Sequence, residues 1–133
     1  MENKKYSKLK AAFEKEVDKR RYKKTAEKLY SQGLEAFADG LWESAFELFE
    51  KALKYWENSF KNTGNKQTLW TLYQKSNEFG VMYFREGRKT ESEFFLQAAK
   101  KYAAKEIFGT NGAANRKAME MAEQNLSVVL NSL

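Results

Sequence analysis

Tyr6, Leu9, Phe13 and Val17 recur at spacings of three and four with charged residues between them, which predicts one helix with a single apolar stripe over residues 3–24. Nothing between Arg20 and Glu27 breaks that helix, because Tyr22-Lys23-Lys24-Thr25-Ala26 lacks Gly and Pro. Thr25 is suited to cap a fresh start there; otherwise the helix is free to run to Ala38. From Ala26 the apolar positions are Leu29, Tyr30, Gly33 and Phe37, and they stop at Asp39-Gly40, where glycine supplies the left-handed conformation that ends helices. Trp42, Ala45, Phe46, Phe49, Ala52, Leu53 and Trp56 then give a broad apolar face over residues 41–60, backed by Glu43, Glu47, Glu50, Lys51 and Lys54. Two helices joined by so short a loop pack antiparallel, and Asn62-Thr63-Gly64-Asn65 closes the hairpin.

A second hairpin follows. Leu69, Trp70, Leu72, Tyr73, Phe79, Gly80, Met82 and Tyr83 lead to Glu86-Gly87. Thr90 with Glu93 has capping-box spacing and predicts the start of the next helix, which Phe94, Phe95, Leu96, Ala98, Ala99, Tyr102, Ala103 and Ile107 carry to Gly109. Asn111-Gly112 is a turn signal, and Met119, Ala122, Leu126, Val129 and Leu130 predict a last helix over residues 114–132. The two hairpins share a spaced pattern. Gly33, Phe37, Gly40, Ala45, Phe49, Ala52 and Tyr55 are repeated 47 positions later as Gly80, Phe84, Gly87, Ser92, Leu96, Ala99 and Tyr102, which implies a stacked repeat architecture.

These residues resemble the tetratricopeptide repeat. Residues 26–57 carry the match most fully, with Leu29, Gly33, Phe37, Gly40, Trp42, Ala45, Phe49 and Ala52 at the family's positions. Residues 73–105 keep the frame with Ser92 in place of alanine, and residues 107–126 look like a linker and the first helix of a third copy. The linker Phe108–Gly112 is similar to that of the longer, kinesin-light-chain type of repeat, while the proline usual after each repeat is missing, Glu57 standing there instead. Longer helices than the family norm are therefore expected. Small residues such as Gly33 and Ala45 let the two helices cross closely while the large ones fill the grooves beside them.

The resemblance implies an all-α right-handed superhelix of antiparallel hairpins: a basic N-terminal extension (1–25), repeat 1 (26–62), repeat 2 (66–108) and a C-terminal half-repeat or capping helix (113–133), together one domain. It further implies a concave groove that holds a protein or peptide partner, lined by Glu27, Tyr30, Leu34, Phe37 and Ala38, and by Gln74, Asn77, Val81, Phe84 and Arg85. The basic clamp by which some relatives hold a C-terminal carboxylate is not reproduced, since Tyr30 and Leu34 stand where lysine and asparagine are needed. Ordinary core packing is the competing role for Leu34, Phe37 and Phe84.

Composition narrows the function further. Within 133 residues there is no His, Cys or Pro, which removes disulfides, thiolate metal sites and the commonest general base. Glu43/Glu47 and Glu120/Glu123 stand at helical spacing, but a carboxylate-only set without histidine reads as solvated surface. No phosphate loop, nucleophile elbow or triad is present, so the reading is a non-enzyme with no catalytic residue, metal or cofactor. No apolar stretch approaches the roughly 18 residues of a membrane span. The basic start has no apolar run after it, so a cytoplasmic protein without membrane contact is expected.

The net charge of +6 is unevenly placed: residues 1–28 hold 11 Lys and Arg against 5 acids, and residues 29–133 hold 13 of each. The densest run gives a basic patch of Lys19, Arg20, Arg21, Lys23 and Lys24, for which a solvated face, an acidic protein and, as the alternative function, nucleic acid are the candidate roles, in that order. Leu126, Val129, Leu130 and Leu133 crowd the end of the chain, where a terminal repeat helix needs a polar outer face. Self-association through that helix, giving a homo-oligomer, is the expectation they raise.

Overall fold

The computed structural model describes the backbone of residues 4–105 and 113–131, and the side chains of residues 8–9, 20–105 and 116–131. Five helices account for nearly all of it: α1 (Lys4–Ala38), α2 (Trp42–Thr63), α3 (Lys66–Arg85), α4 (Lys89–Ala103) and α5 (Ala113–Asn131). No strand occurs among the described residues. The all-α expectation is met. Thr25 does not restart the first helix, which runs unbroken through 35 residues.

Packing divides the chain into two compact units, residues 1–64 and 65–133, each with its own core. In the first, α1 packs against α2. Ring pairs Phe37–Trp42, Tyr30–Phe49 and Tyr22–Tyr55 run in opposite directions along the two helices and fix the antiparallel register. Ala26, Ala45, Phe49, Ala52, Leu53 and Trp56 are buried between them. In the second unit α3 packs against α4, and α5 lies mainly on α4 with fewer contacts to α3. Leu69, Leu72, Tyr73, Phe79, Tyr83, Phe95, Leu96, Ala99 and Tyr102 form its core, closed on one side by Ala118, Ala122, Leu126 and Val129 of α5.

The two hairpin turns share three backbone hydrogen bonds and differ in a fourth, where Asp39 donates to Glu35 but Glu86 donates to Tyr83. In the first, the N–H of Gly40 donates to the Phe37 carbonyl (3.0 Å), that of Leu41 to Ala36 (2.9 Å) and that of Ala45 to Leu41 (2.9 Å). In the second, Gly87 donates to Phe84 (3.0 Å), Arg88 to Tyr83 (2.9 Å) and Ser92 to Arg88 (3.0 Å), each bond 47 residues on. Gly40 (φ 76°) and Gly87 (φ 72°) occupy the left-handed region that lets the chain leave one helix and enter the next. The duplicated sequence pattern is thus a duplicated hydrogen-bonded turn.

Two expected boundaries shift. The capping box at Thr90 does not form: α4 begins at Lys89, one turn-bond earlier, with Arg88 at the cap and no side-chain cap bond. The Arg88 N–H bond back to Tyr83 already sets the entry, so Thr90 falls inside the first turn. α4 also ends at Ala103, with Ala104 at its C-cap, short of the expected Gly109. Between α2 and α3 only Gly64 (φ 62°) and Asn65 intervene, and Asn65 caps α3 by accepting from the Gln67 N–H at 2.8 Å. The expected linker, Phe108–Gly112, lies outside the described residues.

Candidate partner-binding surface

Any binding surface here is carried by two helix crossings that must be tight. A methyl group on Gly33 would stand 2.5 Å from the Phe49 ring, and one on Gly80 would stand 2.5 Å from Leu96 and 3.3 Å from the Ser92 carbonyl. Phe49 and Leu96 are 47 residues apart, as are the glycines, so the same large-on-small contact locks both hairpins. At the second crossing Ser92 Oγ also donates to the Gly80 carbonyl at 2.6 Å. First-helix side chains are thereby held at fixed positions along each hairpin.

Of the groove residues expected from sequence, those on α1 divide. Glu27 and Ala38 are exposed and Leu34 is half-buried. Tyr30 lies against Phe49 and Trp56, with ring centroids 6.3 and 6.1 Å away, and Phe37 packs edge-on against Trp42 at 4.8 Å, so both aromatic rings are engaged with α2. On α3, Gln74 and Arg85 are exposed and Val81 is half-buried. Asn77 Oδ1 accepts from Asn125 Nδ2 at 2.8 Å, and Phe84 packs on the cluster of Leu96, Leu126 and Val129. Asn77 and Phe84 are thus turned toward α5. The Tyr73 hydroxyl donates to the Ala118 carbonyl at 3.3 Å on the same side, and burial raises its pKa.

The C-terminal residues expected to mediate self-association are split by the same packing. Leu126 and Val129 are buried within the second unit, against Leu96. Leu130 remains 47% exposed, and Leu133 lies outside the described residues. The cause is helical spacing: 126 and 129 share the face that meets α4, whereas 130 is turned off it. Val128, which belongs to the same apolar run, and Met121 are the other exposed large apolar residues among the described residues of α5.

The basic patch is exposed where it is described. Arg20, Arg21, Lys23 and Lys24 all face solvent, while the Lys19 side chain lies outside the described residues. None of the described salt bridges uses these four, since those bridges join Lys54–Glu50, Lys75–Glu78, Arg88–Glu91 and Lys100–Glu123. On α4, an open depression of about 510 Å³ is lined by Thr90, Glu93, Phe94, Gln97, Ala98 and Lys101. Phe94 there is 46% exposed, and the residue 47 positions before it is Glu47. Comparing the two copies position by position is the signal that would have found it.

Among the described residues no group of three carboxylates lies close enough to hold a metal ion, and no helix is long and apolar enough to cross a membrane. What the surface offers chemically is burial, hydrogen bonding and charge. No protein-family model matches the chain, and neither does any curated protein sequence or solved structure.

Proposed function

We propose that this chain is a non-catalytic, tetratricopeptide-like repeat module of the cytoplasm that holds a segment of a partner protein along the first helices of its hairpins. The observation that carries the reading is the repetition of one locked hairpin, with three shared turn bonds and the same large-on-small crossing 47 residues apart. A chain that builds one hairpin twice presents the first-helix positions of each hairpin in the same way, and such repeated presentation is the usual basis of recognition in helical-repeat proteins. Binding then works by shape and burial with no covalent step. The exposed first-helix residues, Glu27 on α1 and Gln74 and Arg85 on α3, with half-buried Leu34 and Val81 beside them, are the contact positions.

Affinity capture from the native cell tests this, using the wild-type chain beside Gln74→Lys/Arg85→Glu. Both residues are exposed, so the variant keeps its core, unlike one at Phe84, which is packed on Leu126 and Val129. Loss of a captured protein from the variant is the expected result. Recovery of the same proteins with both versions would overturn the assignment.

A further inference from the structure

α4 meets its own unit along two lines of residues. Phe95 packs against the Phe79 and Tyr83 rings of α3, and Leu96 packs against Leu126 and Val129 of α5. The side turned away from both carries Thr90, Phe94, Gln97, Ala98 and Lys101, which with Glu93 line the open depression of about 510 Å³. Seven residues are close to two full turns, so Phe94 and Lys101 stand in line, about 10 Å apart along the axis. Phe94 is 46% exposed although its ring meets Phe95 edge-on, with centroids 5.4 Å apart.

Charge along this helix is ordered. Both acids of α4, Glu91 and Glu93, lie in its N-terminal half, while Lys100 and Lys101 lie in its last turn. The cation at the N-terminal end, Lys89, is turned to α5, where its Nζ donates to the Leu130 carbonyl at 3.4 Å. Arg88 before it is paired with Glu91 at 3.6 Å, and Lys100 is drawn to Glu123 of α5 at 3.9 Å. Glu93 and Lys101 therefore set the charge of the outer side, acid toward one end and base toward the other, with Gln97 midway between them. Lys105, exposed just past the helix, adds to the basic end.

We propose that this side of α4 is the contact between two copies of the chain, paired antiparallel about a two-fold axis that passes beside Gln97 and Ala98. That axis sets Phe94 of one copy against Lys101 of the other, and Gln97 against Ala98. Each Lys101 then lies with its stem on an aromatic ring and its ammonium beside Glu93, one residue from Phe94, while the small Ala98 leaves room for Gln97. Charge order selects this occupant: the face carries, in reverse, the groups that it needs opposite it, which is what a two-fold contact requires. Parallel pairing would set acid on acid and base on base. A bilayer or a nucleic acid offers nothing to Glu93, and a different protein would have to bring the same order reversed. One helix face of about four turns buries less than the roughly 1,200 Å² of a standard interface, so the association is weak and reversible. It uses none of the C-terminal residues from which self-association was expected, and none of the contact positions on α1 and α3.

Sedimentation of the full-length chain at rising concentration, up to about 0.5 mM, is expected to show a monomer–dimer equilibrium. Glu93→Lys and Lys101→Glu each set like charges against one another and are expected to weaken the dimer at least tenfold. The double variant Glu93→Lys/Lys101→Glu restores opposite charges across the axis and is expected to recover most of that loss, with helix content of every variant checked by circular dichroism. Because the chain has no cysteine, Gln97→Cys beside the axis supplies an independent arm: it is expected to form a disulfide-linked dimer on mild oxidation, whereas Cys at exposed Gln74 on α3 is not. A chain that stays monomeric throughout, a dimer indifferent to both single reversals, a double variant no better than the singles, or equal cross-linking from positions 97 and 74 would each overturn the proposal. A dimer lost through Leu130→Lys and untouched by the reversals would overturn it in favour of α5. None of these results bears on capture of a partner along α1 and α3, so the two readings fail separately.

Discussion

Ser92 Oγ donates a 2.6 Å hydrogen bond to the carbonyl of Gly80, joining the two helices of the second hairpin where Gly80 packs against Leu96. Position 45, its counterpart 47 residues earlier, is an alanine that is fully buried. The two crossings therefore share a shape and differ by one polar clasp. In each, the missing side chain of a glycine leaves the space that a large residue of the facing helix fills.

Gly33→Ala and Gly80→Ala are expected to destabilise their own hairpins. Helix propensity alone would favour alanine by about 1 kcal/mol, whereas forcing a methyl group into a packed crossing costs about 1–3 kcal/mol. The Phe49 ring is fully buried, and at Gly80 the Ser92 backbone oxygen also stands 3.3 Å away, so neither neighbour can simply swing aside. A net loss of about 1–2 kcal/mol is expected for each, read by amide exchange so that the two units are resolved. A gain in stability at either glycine would contradict the tight crossing.

Ser76 is fully buried, and its Oγ has no hydrogen-bond partner among the described residues. Desolvating a hydroxyl without compensation costs about 1–3 kcal/mol, and alanine is also the better helix former. Ser76→Ala is expected to stabilise the second unit by about 1 kcal/mol in urea unfolding. A loss of similar size would show that Oγ has a partner in solution.

Burial raises the pKa of Tyr83 well above its ordinary 10.0, with Glu91 raising it further and Arg88 acting in the opposite direction. The folded chain thus keeps a phenolic proton that the unfolded chain releases. Stability from this group is fully present below pH 10 and declines as pH rises from there toward the folded value, by about 1.4 kcal/mol per pH unit. Buried Tyr73 shifts in the same direction and adds to the slope. Alkaline thermal melts are expected to fall steeply above pH 10 for the wild type and less steeply for Tyr83→Phe; identical slopes would contradict this origin.

Helix positions, the two hairpins and their 47-residue frame were legible in the chain because each is local: spacing, glycine at the turns and the absence of proline decide them. Thr90 misled because a backbone bond from Arg88 to Tyr83 sets the helix start before the hydroxyl can act. The fate of Leu126 and Val129 was not legible either, since an apolar face reads the same whether its own unit or another chain covers it. Asn77 shows the same limit: its partner, Asn125, is 48 residues away on a helix whose docking no local pattern announces.

The claim beneath all of this is that the two hairpins are one structural unit used twice, and Ala45→Ser tests it most directly. If the crossings are equivalent, a serine hydroxyl at position 45 finds the Gly33 carbonyl as Ser92 finds that of Gly80, and stability measured by urea unfolding changes by less than about 0.5 kcal/mol. If they are not, the new hydroxyl is buried without a partner at a position with no exposed surface, and a loss of about 2 kcal/mol or more would contradict the account.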